Sequence, residues 1–217
     1  MVTTKRRTNR SRALRSSGPQ TAINTRDKLV RAAEKMMLRD GYSATRVDDM
    51  IRKAGVSKGS FYHFFDSKES LGLAAIDQHY SDRVGRLVSG GHSSETDSRR
   101  RADRFLEHAL DIAPELWKNG CLLANFAADA ARSSPVIADA LGERLDKLRA
   151  LLAEVLAPYA TAEFTAADLA EQFVIRVEGA IVLARIYDDP AYLRDALAEF
   201  RHRLQKSAAS PPSRRRG

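Results

Sequence analysis

An apolar spacing of three and four residues constrains the fold more than any other feature of this sequence. It begins at Leu29 and recurs, between helix caps and glycine stops, as far as Leu204. No segment alternates between apolar and polar residues for long enough to indicate a β-strand. The sequence therefore predicts an all-α fold of about nine helices, with no internal repeat.

Four helices with recognisable ends open the pattern, at about residues 25–41, 45–55, 57–64 and 66–87. Thr45 and Ser57 are N-cap residue types at the start of the second and third helices, and Gly55 ends the second. Asp66 with Glu69 resembles a capping box at the start of the fourth. After a loop rich in glycine and serine, five further helices are predicted at about 100–117, from 121, and at 134–158, 165–184 and 190–204.

Composition excludes several classes of protein. No uncharged run exceeds ten residues, whereas a membrane-spanning helix needs roughly 20. The basic N-terminal residues are not followed by an apolar stretch, so no secretory signal is predicted and the expected location is the cytoplasm. Cys121 is the single cysteine, which argues against disulfide scaffolds, cysteine-based zinc sites and iron-sulfur clusters.

Catalytic motifs are missing from the sequence. The five histidines show no metal-binding spacing, and the chain has neither a glycine-rich phosphate loop nor a Gly-x-Ser-x-Gly nucleophile motif. We therefore predict no enzyme activity, no cofactor and no metal site.

Charge is distributed unevenly along the 217 residues. The formal net charge is +8, to which residues 1–24 contribute +6 and residues 206–217 contribute +4. The segment 25–68 adds +4 and the segment 69–205 adds −6. A polyanion would be attracted to the first third of the chain and to both ends.

The second and third predicted helices are separated only by the residues Ala-Gly-Val-Ser at 54–57. Two short helices joined by a tight glycine turn are typical of a helix-turn-helix, in which the second helix enters the major groove of DNA. An ordinary helical corner is the alternative interpretation. On the second of these helices Phe61, Phe64 and Phe65 are expected to face the protein interior, opposite the residues that meet DNA.

The residues predicted to contact DNA are Thr45, Arg46, Ser57, Lys58, Gly59, Ser60, Tyr62, His63 and Lys68. Lys58, Gly59, Ser60 and His63 are small or hydrogen-bonding residues that can approach base edges. Tyr62 and Lys68 are expected at phosphates. Thr45 and Arg46 are expected there too, through a hydroxyl, a backbone amide and a cation.

The run from Thr25 to Leu71 resembles the N-terminal DNA-binding domain of the tetracycline-repressor (TetR) family. The resemblance spans about 47 residues around the core ATRVDDMIRKAGVSKGSFYHFFDSKESL. It implies a homodimer whose C-terminal helices form both the dimer interface and a small-molecule cavity. Such a dimer would place its two reading helices roughly 34 to 36 Å apart, so the expected partner is a palindromic operator in double-stranded DNA.

The C-terminal helices carry the small residues Gly179, Ala180 and Ala184, which would permit close helix crossing. The helices could cross in this way between two subunits or within one.

Candidate ligand-contacting residues are aromatic or polar and lie between residues 100 and 187: Phe105, His108, Trp117, Phe126, Tyr159, Phe173, Arg176, Glu178, Arg185 and Tyr187. Core packing is the alternative role for each of them.

Cys121 follows Asn119-Gly120 at the start of a predicted helix, where free amides and the helix dipole would lower the pKa of its thiol. The alternative is a small buried hydrophobic residue. The segment NGCLLANFAAD resembles the Gly-Cys-Leu segment of a TetR subgroup that includes repressors of electrophile-detoxifying reductases and regulators that respond to small unsaturated acids. This resemblance implies a sensing role for Cys121. Some of these regulators carry a lysine beside the pocket, and Arg185 stands in its place here and cannot act as an amine nucleophile.

We predict a dimeric, ligand-responsive DNA-binding regulator, most simply a repressor released by an unknown small molecule or electrophile. The alternative is a packaging protein that binds DNA without specificity, for which the basic ends would suffice. The predicted parts are a basic disordered tail (1–24), a helix-turn-helix domain (25–70), a ligand-binding and dimerisation domain (71–205) and a second basic disordered tail (206–217).

Overall fold

A computed structural model describes residues 19–89, 95–131 and 134–209. All regular secondary structure in these ranges is helical, which confirms the all-α prediction. The elements are α1 (Pro19–Asp40), α2 (Val47–Ala54), α3 (Lys58–Phe64), α4 (Lys68–Ser89), α5 (Ser98–Asp111), α6 (Ala113–Asn119), α7 (Leu122–Asp129), α8 (Pro135–Leu156), a 3₁₀ turn (Ala157–Tyr159), α9 (Ala166–Tyr187) and α10 (Ala191–Ala209). None of these helices combines the length and the apolar character needed to cross a membrane.

The helix predicted over 100–117 is two helices, α5 and α6, which meet at Ile112. Pro114 lies in the first turn of α6, where its missing amide and its ring prevent α5 from continuing. At the ends of the chain, α1 begins six residues before Thr25 and α10 continues to Ala209, so residues 19–24 and 206–209, predicted as parts of disordered tails, are helical. The rest of both predicted tails lies outside the described residues.

Two of the predicted helix starts are wrong by one residue. Arg46, and not Thr45, is the N-cap of α2, because the Thr45 hydroxyl donates to the Gly41 carbonyl at 2.7 Å instead of accepting from the helix. At α4 the reciprocal pair is Ser67 with Ser70: Ser67 Oγ accepts from the Ser70 amide at 3.0 Å, and Ser70 Oγ accepts from the Ser67 amide at 3.2 Å. A capping box of this kind satisfies amides that the first turn leaves free.

Buried apolar side chains form two clusters. The first gathers α1, α2, α3, the N-terminal part of α4, α7 and the start of α8, and we call it the head core. The second gathers α5, α6, the C-terminal part of α8, α9 and α10. Helix α4 belongs to both, with Leu71 in the head core and Leu87 in the second cluster.

The head core is not closed by the N-terminal segment alone. Phe126 of α7 and Ile137 of α8 are fully buried in it, and the Phe126 ring lies 5.2 Å from the Tyr42 ring between centroids. The head core therefore contains residues from both sides of the predicted domain boundary at residue 70. A movement of α7 must displace residues of the head, because both belong to one packed interior.

Candidate DNA interface and ligand cavity

The turn between α2 and α3 is fixed at both of its ends. Gly55 has the left-handed backbone angles φ +67° and ψ +37°, which a side chain would strain. Ser57 caps α3, and its Oγ accepts from the Ser60 amide at 3.0 Å. Both the glycine stop and the serine cap that the sequence predicts are confirmed.

Helix α3 separates an apolar face from a polar one. Phe61 is fully buried and Phe65 nearly so, and both belong to the head core. Phe64 is only half-buried beside them. On the opposite side Tyr62 and His63 are exposed, and so are Lys58 and Gly59 at the start of the helix. The short helix is thus held by aromatic side chains while its polar face meets solvent.

The polar face of α3 is only lightly constrained. The Ser57 and Ser60 hydroxyls lie 2.8 Å apart, so one hydrogen bond joins them. Lys58 Nζ lies 3.5 Å from an Asp48 carboxylate oxygen, with both side chains about two thirds exposed (65% and 64%). Such an exposed ion pair contributes little and can exchange partners.

The two predicted phosphate contacts before α2 differ. Thr45 is buried, its hydroxyl bonds to the Gly41 carbonyl, and its amide donates to the Tyr42 carbonyl at 3.2 Å. Both of its polar groups therefore stabilise the turn after α1, which contradicts the expectation of a free hydroxyl. Arg46 is exposed, and no side chain caps α2 at this position.

Lys68 is half-buried and already has partners. Its Nζ donates to the Ser43 carbonyl at 3.3 Å and lies 4.3 Å from the Tyr42 ring centroid. Burial lowers the pKa of Lys68, while the nearby Asp129 carboxylate acts in the opposite direction. Lys68 therefore braces the turn between α1 and α2 as well as lying at the edge of the exposed face.

Helix α7 is fastened to the head by side-chain hydrogen bonds at its C-terminal half. The Asp129 carboxylate accepts from the Ser43 amide at 2.6 Å and also from the Ser43 hydroxyl. Asn125 Nδ2 donates to the Leu38 carbonyl at 3.0 Å. The hydrogen bonds from Ser43 lower the pKa of Asp129.

The N-terminal end of α7 lies at a cavity of about 230 Å³. Four helices and the residue before α7 line it: from α4 His79, Tyr80, Arg83, Val84 and Leu87; from α7 and its cap Cys121, Leu123, Ala124 and Ala127; from α8 Leu141, Gly142, Leu145 and Leu148; and from α9 Val174 and Glu178. Most of these side chains are apolar.

Arg83, Glu178 and His79 form the polar end of the cavity, which Tyr80 also lines. Arg83 Nη1 donates to the Gly120 carbonyl at 2.9 Å, and Arg83 Nη2 lies 3.7 Å from Glu178 Oε1. His79 is buried between a carboxylate oxygen of Glu34 on α1, 3.0 Å from Nδ1, and the Leu122 amide, which donates to Nε2 at 3.2 Å. Since Nε2 accepts, the neutral ring carries its proton on Nδ1 and donates to Glu34.

Cys121 lines this cavity but is not activated. It is the N-cap of α7, and its side chain is 3% exposed. The pKa of the Cys121 thiol is raised to about 11, chiefly by burial; the Glu178 carboxylate also raises it, whereas Arg83 lowers it. The prediction that the helix dipole makes this thiol a better nucleophile is therefore wrong in the described conformation, because desolvation outweighs the dipole.

Of the other predicted ligand residues, only Glu178 lines this cavity. Phe173 lines an adjoining void of about 30 Å³, which also touches Glu178, and Arg185 lines an open crevice on the outer side of Cys121. The predicted residues that line none of these three spaces are Phe105, His108, Trp117, Phe126, Tyr159, Arg176 and Tyr187.

Packing or local pairing accounts for five of these seven exceptions. Phe105 and Phe126 are core side chains, and Trp117 packs against the second cluster. His108 Nε2 donates to the Arg86 carbonyl at 2.7 Å, and Arg176 pairs with Glu199 at 3.6 Å.

Sequence reasoning missed His79 and Arg83, which stand four residues apart on one face of α4. That spacing places two polar side chains side by side within an otherwise apolar stripe and could have drawn attention to them.

The outer face of α9 is apolar and exposed. Ile175, Val182 and Ile186 are more than half exposed (61%, 51% and 67%), and Gly179 lies between them on the same stripe with open space beyond its α-carbon. Ala180 and Ala184, predicted with Gly179 at a close helix crossing, are instead buried within the subunit.

Comparisons with known proteins match both halves of the chain. The family model "Bacterial regulatory proteins, tetR family" matches residues 29–75, and the model "Transcriptional regulator LmrA/YxaF-like, C-terminal domain" matches residues 103–199.

Two curated relatives are similar over most of their length. The transcriptional repressor NemR of Escherichia coli is 29% identical over 137 residues, which cover 63% of this chain and 69% of NemR. The transcriptional regulator AcuR of Cereibacter sphaeroides is 28% identical over 180 residues, which cover 79% of this chain and 81% of AcuR.

Solved structures show the same fold. The crystal structure of the reduced form of E. coli NemR has a TM-score of 0.69 at 26% identity, covering 82% of this chain and 96% of that one. A TetR transcriptional regulator from Chloroflexus aurantiacus has a TM-score of 0.75 at 24% identity, covering 86% and 97%.

Proposed function

Because the chain belongs to the TetR family of transcriptional regulators, we propose that it is a homodimeric repressor, released from a palindromic operator when a small molecule enters the cavity behind α7. Regulators of this family bind DNA and form dimers. The observation that carries the proposal is the exposed polar face of α3, which Phe61 and Phe65 support from the head core. Such a regulator works where the chromosome lies, in the cytoplasm.

On DNA, α3 would enter the major groove with its exposed face toward the bases. Gly59 would allow the backbone to approach closely, and Ser60 and His63 would meet base edges. Lys58 would also reach base edges. Tyr62 and Arg46 would contact phosphates, which fix the position without reading sequence. Lys68 would contribute less than an unpaired lysine, because it already binds the Ser43 carbonyl.

The apolar stripe on α9 supports a dimer. Exposed Ile175, Val182 and Ile186, with Gly179 among them, form a continuous surface that a second copy would remove from water. Two copies joined by this surface would present two α3 helices to one side of the DNA, which accounts for the expected palindrome.

The dimer proposal predicts that Val182→Arg gives a monomer and weakens operator binding by at least roughly a hundredfold, since one head alone loses half of the contacts. Light scattering and gel shifts measure the two effects. Val136→Arg is the matched control, because Val136 of α8 is equally exposed (51%) and lies off the stripe. A Val182→Arg protein that stays dimeric contradicts the proposed interface.

Coupling between cavity and head would run through α4 and α7. Helix α7 begins at the cavity with Cys121 and ends at the head with Asp129, whose carboxylate binds Ser43. His79 of α4 lines the cavity and donates to Glu34 of α1. A ligand that displaces these walls would shift the two heads relative to each other, so that both no longer fit successive major grooves.

Cys121 stays a predicted sensor and not an established one. The Gly-Cys-Leu segment supports contact with a ligand, and the buried thiol argues against rapid reaction with electrophiles before the cavity opens. Cys121→Ser should abolish release from DNA by an electrophile if the thiol senses it. Unchanged release in this variant would assign Cys121 to packing.

The proposal is tested by selecting genomic fragments with the purified chain and then by gel shifts on the best site. The compounds added would be enones, quinones, short unsaturated acids and hypochlorite. A palindromic site released by one of them supports the proposal. Substituting Tyr62 should then weaken binding to all sequences, whereas substituting Ser60 or His63 should change the preferred bases.

Salt-sensitive binding without a preferred sequence would instead support the packaging alternative, and absence of binding would reduce the helix-turn-helix to a helical corner.

A further inference from the structure

The cavity has one polar end and mostly apolar walls. Its volume of about 230 Å³ equals that of roughly eight water molecules at ~30 Å³ each, which suits an organic molecule of about eight to ten non-hydrogen atoms. The polar groups at its end are His79, Arg83, Cys121 and Glu178, and Tyr80 is a further polar side chain of the lining.

Two of these groups already have partners. His79 uses one ring nitrogen for Glu34 and the other for the Leu122 amide. Arg83 donates to the Gly120 carbonyl and faces Glu178 Oε1 at 3.7 Å. The Cys121 thiol lies near the Glu178 carboxylate, which raises the pKa of the thiol.

Glu178 Oε2 is different, because this atom is buried and has no hydrogen-bond partner in the described part of the chain, although the Glu178 side chain as a whole is 31% exposed. A buried acceptor without a donor costs free energy, which a ligand with a donor recovers on binding. The unmet need at the polar end of the cavity is therefore a donor and not an acceptor.

We propose that the cavity takes a small, largely apolar molecule with a single amine or hydroxyl group, and that this group donates to Glu178 Oε2. The inference rests on the proposed function, since it names the class of effector. A carboxylate ligand fits less well, because it would face the Glu178 carboxylate while Arg83, 13% exposed, is already paired with that residue.

Four probes of nearly equal size separate these chemistries: benzylamine, benzyl alcohol, ethylbenzene and benzoate. Calorimetry on the full chain measures their affinity without DNA. Benzylamine and benzyl alcohol should bind at least roughly tenfold more tightly than ethylbenzene and benzoate, as expected for one hydrogen bond to a charged group. Benzoate as the tightest probe, ethylbenzene equal to benzylamine, or no binding by any of the four overturns the proposal.

Glu178→Gln provides a second test, because it removes the charge at similar shape and leaves Arg83 without its counter-charge. Benzylamine should lose at least roughly tenfold in affinity, and benzoate should gain. Glu199→Gln is the matched control, since Glu199 also faces an arginine, Arg176, at 3.6 Å but does not line the cavity. Equal responses of the two variants contradict a role for Glu178. The probe series on the unaltered chain decides the matter if Glu178→Gln does not fold.

Gel shifts with the same probes separate this inference from the proposed function. Probes that bind in the expected order but do not release the operator support the ligand class and count against ligand-controlled repression. An operator released by benzoate and not by benzylamine supports repression and overturns the ligand class.

Discussion

The exposed face of α3 and the polar end of the cavity both contain charged and hydrogen-bonding residues, but the two regions differ in their exposure to water. Lys58 and Asp48 on the reading side are about two thirds exposed, and their 3.5 Å ion pair is screened. In the cavity Arg83 is 13% exposed, Cys121 3% and Glu178 31%. A polar group on α3 can therefore change partners freely, whereas one in the cavity must be matched where it lies.

This difference assigns separate tasks to the two regions. The screened, adjustable groups on α3 suit the phosphate and base contacts of DNA, which replace water by other polar partners. The matched groups of the cavity leave a single unmet acceptor, so selectivity there depends on one atom of Glu178. The helices α4 and α7 join the regions, because each contributes to the head core and lines the cavity.

The largest expected effect tests whether the polar end of the cavity is buried. With a pKa of about 11, the Cys121 thiol carries far less thiolate near pH 7.5 than an ordinary cysteine, whose pKa is about 8.5. Alkylation by iodoacetamide should be about 100-fold slower in the folded chain than in urea, and its rate should keep rising above pH 9. Mass spectrometry reads one site, since Cys121 is the single cysteine. Equal alkylation rates in the folded chain and in urea would mean that water reaches Cys121 at the polar end of the cavity.

The same pKa gives a sign for stability. The folded pKa of Cys121 lies above the value of an unfolded cysteine, so the unfolded chain loses this proton first as the pH rises. The contribution of the neutral thiol to stability is therefore complete below about pH 8.5 and is lost as the pH rises toward 11. Cys121→Ser should lose less stability than the unaltered chain between pH 8.5 and 10 in thermal melts.

A tenfold loss of operator affinity is expected for a substitution on the exposed face of α3. Gly59→Ala places a methyl group 3.8 Å from Ser57 Oγ, an ordinary contact, and should leave the melting temperature equal or higher because alanine favours helices. Operator affinity should fall about tenfold, since the methyl group would occupy the surface that approaches the bases. Gly85→Ala is the matched control, an exposed glycine of α4 with open space around it. Unchanged operator affinity in Gly59→Ala would move the closest DNA approach elsewhere on α3.

The smallest expected effect concerns α7, which links the cavity to the head. Asp129→Asn weakens the attachment of α7 to Ser43 and should lower operator affinity by about two- to threefold, because the head is held less firmly. The pKa of Asp129 is lowered from 3.8, so its contribution to stability is present above that pH and is lost as the pH falls through the folded pKa. The melting temperatures of the two proteins should thus converge below about pH 4.

Asp139→Asn, at an exposed position of α8, is the control for the charge change. If Asp129→Asn leaves both operator affinity and the acid dependence of stability unchanged, coupling does not run through this end of α7.

Local features of the fold were predictable from the sequence. Gly55 and Ser57 act through their own backbone and their nearest neighbours, so the turn and the start of α3 follow from residues three or four positions apart. Phe61 could be assigned to the interior from the helical period alone. The break at Ile112 was missed although Pro114 signals it, because the apolar period continues across the proline.

The sites that join distant segments could not be predicted in the same way. His79, Arg83, Cys121 and Glu178 meet only because α4, α7 and α9 pack together, and no spacing in the sequence records that contact. Thr45 is a local exception: it has the residue type of an N-cap, but its hydroxyl donates to the Gly41 carbonyl, four residues earlier in the chain.

The all-α class, the helix-turn-helix and the polar face of α3 follow from the helical period, the caps and the turns, which are local properties of the chain. Tertiary packing assigned the residues that line the cavity and placed α7 in the head core. It also decided the state of Cys121, because a helix N-terminus favours the thiolate whereas burial, which depends on every neighbouring helix, disfavours it more strongly.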